Sequence, residues 1–239
     1  MKRFTPRHLT LALCQLLLLC PLAYATGMKP ETAAVLIKEA DGITSMKVTN
    51  TDSTPALLQT KVLSIPEDNE PLLIATPALV RINGGDKQLV RFLLQNKTPL
   101  TTQRLRRIEF SGVPGQLKND VSSKINVAVG QNIPAIIHPK GLAEDQQPWT
   151  HLRWSLDGST LQLKNPSPYV VRLHPSVTLL PQASTTTLPK AYVLPGEMVE
   201  VILAQAPQGE VTALEIDPVY LYGSIAKRYS ITHESARVQ

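Results

Sequence analysis

Lys124-Ile-Asn-Val-Ala-Val-Gly-Gln-Asn-Ile-Pro134 is the stretch on which the reading of the fold turns. Ile125, Val127 and Val129 alternate with Asn126, Ala128 and Gly130, the period of two that gives a β-strand one apolar face. The intervening residues are small or amide-bearing and uncharged, so no Lys or Glu blunts either edge. An edge left this open is an aggregation liability unless something covers it. Periodicity alone leaves two readings: one more core strand of a β-sandwich, or a strand lent to a second chain.

Upstream, the chain reads as a succession of short strands. Gln103 to Val113 precedes the opening stretch and joins it through the short polar segment Gly115 to Ser123. Before it come Ala33 to Ile37, Ile43 to Asn50, Ala56 to Ile65, Leu72 to Thr76, Ala78 to Ile82 and Gln88 to Leu94. Turns fall at Ala40-Asp-Gly42, Asn50 to Pro55, Pro66-Glu-Asp-Asn-Glu-Pro71 and Asn83-Gly-Gly-Asp86, where Asx, Gly and Pro chemistry favours them. Pro77 requires a sheet edge or a bulge, because it donates no ladder hydrogen bond. About seven strands with turns every 8 to 12 residues is the spacing of an immunoglobulin-like sandwich.

Downstream, Pro139 to Pro148 is polar and reads as a linker, and a second series of strands follows. Leu152 to Leu156 and Thr160 to Leu163 form a hairpin around Asp157-Gly158-Ser159, an Asp-Gly turn between alternating arms. Tyr169 to Leu173, Val177 to Leu180, Ala191 to Leu194, Met198 to Leu203, Val211 to Asp217 and Lys227 to Thr232 complete the set. The expected architecture is all-β: two immunoglobulin-like β-sandwich domains at an angle, over residues 26–139 and 140–239.

Residues 1–25 have the layout of an export signal. Lys2, Arg3 and Arg7 precede the apolar run Leu9 to Leu19, and Ala23-Tyr-Ala25 offers small-x-small cleavage. The run is shorter than the roughly 20 residues that a membrane span needs. Cleavage after Ala25 takes 25 of 239 residues and leaves 214. Both cysteines, Cys14 and Cys20, go with the signal, so the mature chain expects no disulfide. Of the 24 basic residues 3 also go, leaving 21 against 19 acidic ones, a net charge of +2. An exported chain so weakly charged is not expected to bind nucleic acid.

Catalytic signatures are missing. There is no G-x-S-x-G elbow, no H-E-x-x-H, no phosphate loop and no cluster of Cys or His. The mature histidines (His138, His151, His174 and His233) are scattered singly. We expect no enzyme activity, no catalytic residues, no metal and no cofactor.

Specific stretches resemble the periplasmic chaperones of chaperone–usher pili. Ile74-Ala-Thr-Pro77, Arg81, Gly85, Lys87 and Val90-Arg91 are similar to that family's I-x-T-P…R…G-x-K…V-R signature. Asn165-Pro-Ser-Pro-Tyr169 resembles the N-P-[ST]-P-[YF] turn of its second domain, and Leu194-Pro-Gly196 a later turn. The resemblance implies two immunoglobulin-like domains set at an angle, in agreement with the two β-blocks.

The chain also departs from the commonest subclass. A cleft Arg on the first strand and a Lys on the donor strand are replaced by Ala33 or Ala34 and by Pro134. A Glu–Arg–Asp network between the domains is replaced by Gly112, His138 and Leu221. The archaic and alternative branch fits better. Asn132-Ile-Pro-Ala-Ile136 is similar to its S-I-P-x-F ending, and Arg106-Arg-Ile-Glu-Phe-Ser-Gly-Val-Pro114 to its Y-R-x-x-x-x-E-I-P strand. Arg106 for Tyr and Gly112 for Glu remain departures.

The resemblance implies a periplasmic chaperone with pilin subunits and an outer-membrane usher as partners, and no integral membrane segment. Ile125, Val127, Val129 and Ile133 then bind the pilin by donor-strand complementation, and Arg107 anchors the pilin's C-terminal carboxylate. Arg104 and Arg106 share one strand face and Arg107 takes the other, so a structural role for Arg107 stays open. Weak self-association of the free chain is a further expectation. The competing class is an exported two-domain adhesin or structural pilus component.

Overall fold

The computed structural model describes residues 27–114 and 130–232. Ile125, Val127 and Val129 lie outside the described residues.

The first block runs through β1 (Met28–Pro30), β2 (Val35–Lys38), β3 (Ile43–Asn50), β4 (Ala56–Leu63), β5 (Leu73–Thr76), β6 (Leu79–Ile82), β7 (Lys87–Leu94), β8 (Arg104–Pro114) and β9 (Gly130–His138). Strands β1-β3-β7-β5 form one sheet and β2-β9-β8-β4-β6 the other. The sequence alternates because each sheet buries one face against its partner. Met46 and Val48 of β3, Val90 and Phe92 of β7, Leu58 of β4, and Ile108 and Phe110 of β8 meet in one core. Phe92 and Phe110 stack edge to face there, 6.4 Å between centroids. Pro77 lies between β5 and β6, the edge strands of opposite sheets, so its missing N–H interrupts no ladder.

Strand β9 runs four residues beyond Pro134, to His138. It is antiparallel to β8 on one side and parallel to β2 on the other, and pairing with β2 begins at Ala135. Ile133, Ala135 and Ile137 face the first core, while Ile136 joins a separate cluster with Ile65, Leu105 and Val170 between the two blocks. A strand buried on both faces reads as a continuous apolar run rather than an alternation. Alternation therefore stops at Pro134 in the sequence although the strand does not.

The second block contains a short 3-10 turn (Pro148–His151), then β10 (Arg153–Asp157), β11 (Thr160–Lys164), β12 (Val171–Arg172), β13 (Ser176–Leu180), β14 (Ser184–Thr187), β15 (Tyr192–Val193), β16 (Met198–Ile202), β17 (Ala213–Ile216) and β18 (Tyr229–Thr232). Its sheets order as β10-β11-β16, β12-β15 and β14-β13-β17-β18. The Asp-Gly hairpin forms with Asp157 paired to Thr160 and Gly158 at φ 56°, a backbone angle that glycine adopts without strain. Trp149 and Trp154 are buried in the core of this block. Strand β14 was not expected, since Ser184-Thr-Thr-Thr187 has no apolar period; it is an edge strand paired only to β13.

Asn165 explains its turn motif. It is fully buried, and its Nδ2 donates to the carbonyls of Tyr169 (2.7 Å), Val193 (3.2 Å) and Leu194 (3.1 Å). Its Oδ1 accepts from the Ser167 amide at 3.1 Å and hydroxyl at 2.6 Å. One side chain thus ties the Asn165–Tyr169 turn to the Leu194–Gly196 turn, the two motifs that stand 25 or more residues apart in the sequence.

Candidate functional site at the domain junction

The two arginine faces of β8 have different fates. Arg106 points into the first core and is 1% exposed. A buried guanidinium needs a fixed counter-charge, and Asp68 supplies it, 2.8 Å away. Arg104, on the same face, donates to Asp68 and, at 3.0 Å, to Glu70. Burial alone would raise the Asp68 carboxyl, but the hydrogen bonds from Arg104 and Arg106 outweigh it and hold Asp68 well below the usual carboxylate range. Its contribution is therefore complete above the ordinary aspartate pKa of about 3.9 and fades as pH falls through the lower folded value. We expect Asp68→Asn to cost about 3 kcal/mol at neutral pH and to flatten the acid limb of stability between about pH 4 and the lower folded value. Thermal unfolding of both proteins across that range checks it.

The turn that carries Asp68 also reaches the second block. Glu67 accepts from Lys190 and from the Tyr192 hydroxyl at 3.0 Å, and Lys190 bridges on to Glu197. Burial and the bond to Glu67 push the Tyr192 hydroxyl up to about 12, so it stays a donor. The acidic turn Pro66 to Pro71 is thus a hub fastened to β8 by Asp68 and to the second block by Glu67.

Arg107 faces the junction. It is paired in register with Pro134, and its Nε and Nη2 donate to the Asn132 side-chain oxygen (2.7 Å) and carbonyl (2.9 Å). Arg172 approaches from β12 of the second block, where its Nη1 donates to the carbonyls of Leu221 (2.7 Å) and Tyr220 (3.3 Å). Neither arginine forms an ion pair among the described residues. Burial first, and then the positive charge of Arg107, lowers the pKa of Arg172; burial likewise lowers that of Arg107. Tyr192 stands across β12–β15 from Arg172 and near enough to Arg107 to affect its titration. Two half-buried cations with no acidic partner among the described residues make a site that favours an anion. A planar guanidinium suits a carboxylate because its fork makes two charge-assisted bonds. Arg172, but not Arg107, also lines a cleft of about 500 Å³ between the blocks, with Leu36, Ile136, Trp149, Val170 and Tyr220 among others.

Residues 27–143 match the pili and flagellar-assembly chaperone, PapD N-terminal domain, and residues 147–227 the pili assembly chaperone PapD, C-terminal domain. The chain belongs to this chaperone family. The chaperone is 38% identical over 206 residues to an uncharacterized fimbrial chaperone, YhcA, of Escherichia coli K12, covering 86% of this chain and 90% of that one. Its fold is that of a chain in the structure of Salmonella enterica SafA pilin in complex with the SafB chaperone, at TM-score 0.71, 18% identity and coverage of 88% and 98%. The E. coli chaperone DraB gives 0.70 at 20% identity, with coverage of 86% and 98%. The family is non-enzymatic. Among the described residues no helix is long and apolar enough to cross a membrane.

Several expected positions can be placed in this chaperone. His138 and Leu221 stand at the junction, whereas Gly112 packs against Met28 at the far end of β8. Ala34 is buried, and a side-chain carbon of Ala33 approaches Gly223. Ile133, expected to bind the pilin, is 7% exposed and packs in the first domain's own core. Arg81 donates to Asn83 at 2.9 Å within its surface turn. Gly84 of the same turn has no room for a side chain, because a Cβ there would stand 2.4 Å from the Ser53 backbone. Sequence reasoning missed Arg172, Tyr192, Glu67 and Gln103. The one available signal was the acidic run Glu67-Asp-Asn-Glu70 set against the basic run Arg104 to Arg107.

Proposed function

We propose that this chaperone acts in the periplasm, where it holds pilin subunits by donor-strand complementation and hands them to an outer-membrane usher. The observation that carries the reading is the pair Arg107 and Arg172 beside β9, cationic and without a carboxylate partner among the described residues. Their ligand is the C-terminal carboxylate of the subunit, which sets the register. Ile125, Val127 and Val129 then fill the groove of a subunit that lacks its own last strand. Main-chain hydrogen bonds supply affinity and the alternate side chains specificity, each contributing about 1.5–3 kcal/mol on full burial. Ile133 has the same parity, and its place in the host core supports a division of labour. The strand's apolar face is committed to the chaperone at Ile133 and offered to the guest nearer Lys124. No nucleotide is required, because folding of the subunit on its template supplies the free energy.

Co-expression with the pilins of its own organism tests the reading. We expect the chaperone to be recovered one-to-one with a subunit of different sequence. Recovery only as a polymer of itself would establish the adhesin or structural-subunit class instead.

A further inference from the structure

The two guanidiniums of the proposed anchor stand on different domains, so their separation is only as well defined as the junction. Gln103 makes hydrogen bonds on both sides of it. Its backbone N–H donates to the Pro168 carbonyl at 2.8 Å, and its side-chain oxygen accepts the Val170 N–H at 2.9 Å. Its side-chain nitrogen lies 3.0 Å from Nδ1 of His138, whose Nε2 lies 2.9 Å from the Leu142 carbonyl.

These contacts leave one consistent assignment of donors. The Leu142 carbonyl can only accept, so Nε2 of His138 carries the hydrogen and Nδ1 is left to accept. The Val170 amide can only donate, so the oxygen of Gln103 must face it and the NH₂ must face His138. Turning either group over would set donor against donor in a buried place, since His138 is 7% exposed and Val170 3%. The relay is short and uncharged. It contrasts with the contact of Glu67 and Lys190 on the other side of the junction, where a long side chain leaves more freedom. Gln103 is four residues from Arg107 along one chain, and Val170 is two residues from Arg172.

We propose that Gln103, oriented by His138, is a positioning residue that sets the spacing between Arg107 and Arg172 and hence the preference for a terminal carboxylate. The proposal rests on the anchor reading above, and its test separates the two. The first measurement uses the free chaperone with no subunit: residual dipolar couplings and X-ray scattering of the full mature chain and of its Gln103→Leu variant. Gln103→Leu keeps the bulk and removes both side-chain bonds. We expect each domain to keep its own couplings while a single relative orientation no longer fits both. The second measurement compares affinities for a peptide of the subunit's C-terminal strand with a free or an amidated end. The carboxylate preference is expected to fall about tenfold in Gln103→Leu, the equivalent of one charge-assisted bond, and to persist in Glu67→Gln. His138→Ala, which leaves Gln103 intact but unoriented, should give part of the same loss. If Gln103→Leu fails to fold, Gln103→Met serves, since its unbranched side chain keeps the length of Gln103 and has neither the amide oxygen nor the NH₂.

An unchanged domain orientation in these variants overturns the proposal, as does a carboxylate preference that survives the change of orientation. An altered orientation in a chaperone that never distinguished the two peptides refutes the anchor and leaves the latch standing.

Discussion

Val127→Asp leaves the chaperone folded and abolishes recovery of its subunit complex. Val127 is the middle of three alternating apolar residues, so in a donated strand it enters the deepest part of the guest's groove. A carboxylate there is buried without a partner, which costs several kcal/mol even after the surroundings adjust. Loss of the valine's own burial adds about 1.5–3 kcal/mol, and together these exceed the factor of 100 in affinity that 2.8 kcal/mol represents. Thermal unfolding of the free variant is the control. Normal complex yield from Val127→Asp would make residues 124–129 a structural strand only.

Arg107→Ala and Arg172→Ala each weaken the complex, and the double variant does so by about 3–5 kcal/mol, because the subunit's carboxylate is then left buried and unpaired. Arg107→Lys keeps the charge and loses the fork, so its defect is milder. The two alanine variants are not expected to add: in each single variant the remaining guanidinium still holds the carboxylate, so the double variant should lose more than the sum of the two. Complex yield and dissociation rate of the single and double variants measure this. Normal values for Arg107→Ala and for Arg172→Ala would place the anchor elsewhere, with Lys124 and Arg91 the next basic residues to test.

Much of the fold was legible because the first domain obeys period two almost throughout. Ile43 to Asn50 is a strand as expected, and Arg104, Arg106 and Arg107 divide between two faces as alternation requires. Where a strand is covered on both sides, as in β9 from Ile133 to His138, the period vanishes and its end could not be read. Where an edge strand has no core face, as in Ser184–Thr187, there was no signal at all. The functional site was legible only in part for a different reason. Arg107 had a local motif around it, but Arg172, Tyr192 and Gln103 are placed by a junction that brings Gln103 and Val170, 67 positions apart, into contact. The polar linker carries no signal of its contacts, yet its Leu142 and Ala143 carbonyls are held by His138 and Tyr169.

The acidic turn shows how a buried charge is accommodated. Arg106 brings a charge into the first core, which is tolerable because Asp68 is 2.8 Å away. Glu67, next to it, joins the domains through Lys190 and Tyr192.

Backbone hydrogen exchange across residues 124–134, in the free chaperone and in the one-to-one subunit complex, tests strand donation most directly. The amides of residues 125–129 should slow markedly on complex formation, because a donated strand gives its main-chain groups to the guest's sheet. Unchanged exchange at those amides, in a complex that protects other parts of the chaperone, would contradict it.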